Sequence, residues 1–189
     1  ALLKRNVAKF EDHFVYQEKN AEGIYKGTTW RSLYHDVEKI AYNLKKAGFR
    51  KGDKMVIFSR NCKDMLELEL AIMAYGGIAV PIFAHFKRET AELLINHSDA
   101  TWLAVCGQSQ LNNIGPHLET IKKIYHFQDV LEHHNYQLEP FSNLLAPIPE
   151  DAQSCLDEGI SPNTVCLNMY TSGTMGTPKC VQLMQGNIL

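Results

Sequence analysis

From Thr29 to about Phe127 the chain alternates between two hydrophobic periods, and few folds accept such a pattern. "TTWRSLYHDVEKIAYNLKKAG" places Leu33, Val37, Ile40, Ala41 and Leu44 on one helical face, with Thr29 as N-cap and Gly48 as the stop. "KGDKMVIFS" then gives a Gly-Asp turn and a short apolar strand. "NCKDMLELELAIMAYGG" is a second helix, with Asn61 as the expected cap and apolar residues nearly all round, which implies burial on more than one side. The pattern repeats as strand "IAVPIF", helix "RETAELLINHS", strand "TWLAVCG", a weaker helix around "QLNNIGPHLET" and strand "KKIYHF". Strands separated by helices imply βαβ units, hence an α/β fold with a mostly parallel sheet and flanking helices. Pro81 has no N–H for a central ladder, so its strand is expected at an edge or bulged.

Beyond Gln128 the signal weakens. Pro140, Pro147, Pro149 and Pro162, with acidic residues between them, predict loops and one or two short helices. "TVCLNMY" restores a strand, and "TSGTMGTPKCVQLMQGNIL" closes the chain.

Composition excludes more than it selects. A net charge of -2 argues against a general nucleic-acid binder, yet leaves room for an anionic small ligand held by one loop. The five cysteines form no C-x-x-C pair, which argues against a disulfide framework or a zinc site and for a reducing, cytoplasmic setting. "MLELELAIMAYGGIAVPIF" is too interrupted by Glu, Gly and Pro for a membrane span, and "ALLKRNVAKFEDHF" has no secretory core. His133 and His134 lack a third ligand at useful spacing and read as a solvated pair, so no metal-ligating residue is assigned. Met65, Met73 and Tyr75 read as core, Phe83 and Phe86 as core or pocket wall, and "LKKAGFRKGDK" as a solvated helix end and turn. His85 follows the carboxyl end of a strand, where open α/β sheets bind ligands, although a loop or capping role competes with that reading.

The closing stretch is the candidate site. Thr171, Ser172, Gly173, Thr174, Gly176 and Thr177 supply hydroxyls and close backbone approach, and Lys179 supplies one cation. Pro178 stiffens the loop. G-x-x-x-x-G-K-[ST] fails because Lys179 stands between Pro178 and Cys180, and G-x-G-x-x-G is absent from the whole chain.

"YTSGTMGTPK" resembles the phosphate loop of the AMP-forming acyl-CoA synthetases, luciferases and nonribosomal peptide adenylation domains. Their pattern is Tyr-Thr-Ser-Gly-Ser/Thr-Thr-Gly-x-Pro-Lys-Gly, running on into an apolar strand and a His-x-Asn helix. The stretch from Thr29 to Phe83 is similar to the family's N-terminal region, where a Trp-led helix precedes a Gly-Asp-x-Val strand, and "VPIFAHFKRETAELLINHSDATWLAVCGQSQL" is most similar to the long-chain fatty acid–CoA ligase branch. Three positions depart: Met175 replaces Thr, Cys180 replaces Gly and Gln185 replaces His. The hydroxyl lost at Met175 is worth about 0.5–1.5 kcal/mol of phosphate contact.

The resemblance implies a large N-terminal domain of which this chain is the first part. Residues 1–163 would form its α/β subdomain and 164–189 a strand, phosphate loop, strand and helix start, with the C-terminal domain absent. It implies a two-step reaction: a carboxylate attacks the α-phosphate of Mg2+-bound ATP, and coenzyme A then attacks the acyl-adenylate. Thr171, Ser172, Gly173, Thr174, Met175, Gly176, Thr177, Pro178 and Lys179 would hold the phosphates. Lys179 would stabilise developing charge, and Gln185 and His85 would stand near the acyl pocket. A long-chain fatty acid is the expected substrate, with medium-chain, aryl or amino acids as alternatives. A greasy substrate is compatible with peripheral membrane contact. The family's later motifs lie downstream, so this stretch alone is expected not to complete the reaction. A non-catalytic nucleotide-binding remnant is the reading from another class.

Overall fold

The computed structural model describes residues 2–116, 118, 120–131, 136–157, 159–171 and 178–188. Helix α1 (Leu2–Phe10) and an antiparallel hairpin of β1 (Phe14–Lys19) and β2 (Tyr25–Thr29) precede the alternating region. Then come α2 (Trp30–Lys46), β3 (Lys54–Ser59), α3 (Lys63–Tyr75), β4 (Ile78–Phe83), α4 (Arg88–His97), β5 (Trp102–Val105), the short α5 (Gln108–Leu111) and β6 (Lys123–His126). Strand β7 (Gln137–Pro140), a 3-10 turn (Phe141–Leu145), β8 (Val165–Thr171), β9 (Lys179–Met184) and α6 (Gln185–Ile188) follow. The seven-stranded sheet runs β7-β6-β5-β3-β4-β8-β9, parallel throughout except for the β8–β9 pair.

Alternation along β3 explains the layers. Met55 and Ile57 point to one face, where α2, α3, Phe141 and Leu144 cover them. Val56 and Phe58 point to the other, where α4, Leu111 and Ile114 pack. A strand apolar on both faces belongs in the middle of such a sheet.

The expected face of α2 is the observed one: Leu33, Val37, Ile40, Ala41 and Leu44 are all fully buried. Thr29 caps it by accepting from the Ser32 N–H at 3.2 Å. At the far end Gly48, at φ +98°, donates to the Lys45 carbonyl and Phe49 donates to that of Leu44, a Schellman turn. Phe49 is buried between Tyr75 and Trp102, so the charged turn encloses a core residue that its composition hid. Gly77 sits where any Cβ would meet the Phe49 ring at 2.5 Å.

Three expectations need correction. The N-cap of α3 is Cys62 rather than Asn61, and its side chain makes no capping bond. The Glu18 carboxylate, from the hairpin, accepts from the Lys63 N–H at 2.8 Å instead. Pro81 lies in an interior strand, with β4 between β3 and β8. Its missing N–H is tolerated because the β4–β8 pairing is confined to Ala79↔Leu167, while the β3 side pairs along its length, Ile57↔Pro81 included. The weaker fourth helix is, among the described residues, the one turn of α5.

Candidate functional site

In a parallel sheet all strands present their carboxyl ends to one rim, and β3, β4, β5, β6 and β8 do so here. Thr171 ends β8 on that rim, and Lys179 opens β9 directly across from it, both exposed. The two are register partners, so the segment between them begins and ends at neighbouring points. Pro178 is half-buried beside Lys179. Ser172, Gly173, Thr174, Met175, Gly176 and Thr177 lie outside the described residues, as do His133 and His134.

On the same rim, β4 ends at Phe83 and the turn after it carries His85 and Phe86. Phe83 is 63% exposed, which removes it from the core. Its ring meets His85 at 5.3 Å and Phe86 at 5.7 Å, both edge-on. His85 is exposed, and the N-cap position of α4 is Lys87, two residues further on.

Gln185 is elsewhere. Because β9 runs antiparallel to β8, Met184 pairs with Val165 at the opposite end of the hairpin from Lys179. Gln185 donates from Nε2 to the Met73 carbonyl of α3 at 2.9 Å. It lines an apolar cavity of about 380 Å³ with Trp30, Leu66, Leu70, Met73 and Ile188. Geometry therefore separates the two sites proposed from sequence: His85 shares the loop's rim, and Gln185 does not.

Two clusters escaped sequence reading. A polar cleft of about 490 Å³ at the carboxyl ends of β3, β5 and β6 is lined by Glu18, Lys19, Arg60, Cys62, Asp64 and Gln128. Burial pushes the Cys62 thiol up, which keeps it protonated and a poor nucleophile. Lys63, which also lines the cleft, binds both Asp36 and Glu67 at 3.1 Å, and Tyr16 donates to Glu67 at 3.4 Å. Glu67 is fully buried, and burial lifts its carboxyl to about 7 against the pull of Lys63. Burial works against the Lys63 charge, yet Glu67 and Asp36 outweigh it and hold that amine above its ordinary range. The group joins hairpin, α2 and α3, and residues 16, 36, 63 and 67 carry no local signature of it. Among the described residues no group of three or more His, Cys, Asp or Glu is placed to hold a metal ion. Among them, too, no helix is long and apolar enough to cross a membrane.

Comparison with known proteins places this arrangement. The long-chain-fatty-acid–CoA ligase ACSBG1 of Rattus norvegicus is 27% identical over 187 residues, covering 92% of this chain and 26% of that protein. The chain spans about a quarter of the length of the curated relatives it matches first. Two solved structures share the fold. The acyl-CoA synthetase of Brucella canis has a TM-score of 0.76 at 15% identity, over 94% of this chain and 31% of that one. The anthranilate CoA ligase AuaEII, in complex with anthranoyl-AMP, has a TM-score of 0.78 at 20% identity, over 97% of this chain and 34% of that one. The profile of the family described as AMP-binding enzyme matches residues 3–189, and the chain belongs to that family.

Proposed function

We propose that this chain is the N-terminal part of an ATP-dependent, AMP-forming acid–thiol ligase, which activates a carboxylic acid as its adenylate and passes the acyl group to coenzyme A. One observation carries the reading: Thr171 and Lys179 face each other at the carboxyl rim of a mostly parallel sheet, joined by a glycine- and hydroxyl-rich segment. Backbone N–H groups and hydroxyls of 171–177 hold the phosphates of Mg2+-bound ATP. The Lys179 ammonium offsets charge that builds on their oxygens as pyrophosphate leaves, acting as a point charge on a flexible stem. The metal arrives with the nucleotide as part of the substrate. Names of the relatives support a fatty acid as the carboxylate, and the long-chain branch is our choice within that class. The fold does not choose the acid, since an anthranilate ligase shares it.

His85 belongs to this reading as a residue of the acid or thiol side of the rim. Gln185 belongs to it only if the apolar cavity against α3 receives part of the acyl chain, because the hairpin holds it away from the loop.

The test is carboxylate-dependent pyrophosphate release by the full-length protein with ATP, Mg2+ and acids from acetate to oleate plus an aryl acid. Release that peaks with long acyl chains supports the ligase and its branch, and release that peaks with the aryl acid moves the substrate class. No release with any acid sinks the ligase and leaves a nucleotide-binding remnant.

A further inference from the structure

The carboxyl half of β8 has an incomplete ladder. On the β4 side its register pairing is confined to Leu167, four residues before Thr171, so no ladder pair on that side holds the end that enters the loop. A side chain does so. Tyr170 stands one residue before Thr171, opposite Cys180 in the register, and its half-buried ring packs against the core beneath α4. Its hydroxyl lies 3.3 Å from the Leu94 carbonyl and 2.9 Å from His97 Nδ1, and the His97 ring meets the tyrosine ring edge-on at 5.7 Å. A phenol has one proton, and donation to the Leu94 oxygen leaves the hydroxyl to accept from Nδ1–H. Both partners sit in the last two turns of α4, whose Ala91, Leu94 and Ile95 are buried against the sheet. The helix is thus a fixed post, and the tyrosine ties the strand end to it.

We infer that His97 and Tyr170 clamp the end of β8 and so set where Thr171 and Lys179 stand, which makes His97 a positioning residue for nucleotide binding. The inference rests on the proposed ATP reading. His97 itself is exposed and reaches the site only through Tyr170. Its hydrogen-bond contribution is therefore contained within that of the tyrosine hydroxyl, and its edge-on ring contact is a packing contribution that the thermal midpoint reads.

The test uses Tyr170→Phe, His97→Ala, His97→Asn and the double variant Tyr170→Phe/His97→Ala in the full-length protein. Kinetics of pyrophosphate release are read with ATP and acid varied separately, together with the thermal midpoint. Loss of one or two hydrogen bonds predicts a rise in KM for ATP of about three- to tenfold in Tyr170→Phe and somewhat less in His97→Ala. The KM for the acid stays unchanged, and the double variant is no worse than Tyr170→Phe. His97→Asn, whose amide donor falls near the place of Nδ1, restores most of the loss. Additive effects, an equal rise for the acid, or an unchanged KM for ATP overturns the clamp. If the wild type releases no pyrophosphate, calorimetric ATP binding takes the place of KM. Binding that weakens in the same order keeps the clamp while the ligase falls, and a wild type that does not bind ATP overturns both.

Discussion

Strands β3 and β9 belong to one sheet and differ in almost every physical respect. From Met55 to Ser59 every residue of β3 is buried, with helices on both faces and a parallel neighbour on each side. Strand β9 has no buried residue, pairs on one side only, and runs against the rest of the sheet. The first is a place where any change is felt by the whole fold. The second should tolerate change, because only Leu183 among its side chains packs against a core and none is buried. Stability and nucleotide binding should therefore separate along the sheet, and variants can break or sharpen that division.

The largest effect belongs to the centre. Phe58→Ala leaves a cavity beneath α4 and should cost about 3–5 kcal/mol, read as a lower urea midpoint. A loss under about 1 kcal/mol would mean that β3 is not the packed centre. Next comes Gly77→Ala, which drives a methyl group into the buried Phe49 ring and should cost about 1–3 kcal/mol.

Glu67 gives a smaller effect with a sign. Its carboxyl is raised, so between the ordinary glutamate range and about 7 the folded chain binds more protons than the unfolded one. The stability this contributes is complete below that ordinary range and is lost as pH rises through about 7. Unfolding midpoints should fall across this window. Glu67→Gln should flatten the profile, and an unchanged slope in that variant would assign the pH dependence to other groups. The smallest effect is at the edge. Val181→Ala, at a 43% exposed position of β9, should stay within about 0.5 kcal/mol of the parent in the same unfolding assay.

What could be read from sequence follows the same division. The α2 face, its Thr29 cap and the two-sided burial of α3 were legible because periodicity reports burial, and none of the thirteen residues of α3 is fully exposed. The β1–β2 hairpin was not, since FVYQEK and YKGTT show little of the alternation that a half-buried strand needs and Phe14 is 60% exposed. Strand β7 hid behind Pro140, which an edge strand accommodates. The Glu18 cap on α3 and the Tyr170–His97 contact join residues 45 and 73 positions apart, and no local pattern encodes such pairs.

For the site, the sequence singled out the loop between Thr171 and Lys179, and the fold supplies the rim on which its two ends stand. The distance between Gln185 and the loop depended on the length and direction of β9, and only the fold supplies those. A residue six positions beyond Lys179 looks close in sequence. One antiparallel strand carries it to the far end of the sheet.

Lys179→Ala tests the central claim most directly, in the full-length protein under saturating acid and Mg2+-bound ATP. Removing the single cation opposite Thr171 should slow pyrophosphate release by about 10- to 100-fold. The thermal midpoint should not move, because the Lys179 side chain is exposed and packs into no core. Release at the parent's rate would contradict the account, and the rim at Thr171 and Lys179 would then not be where the phosphates are held.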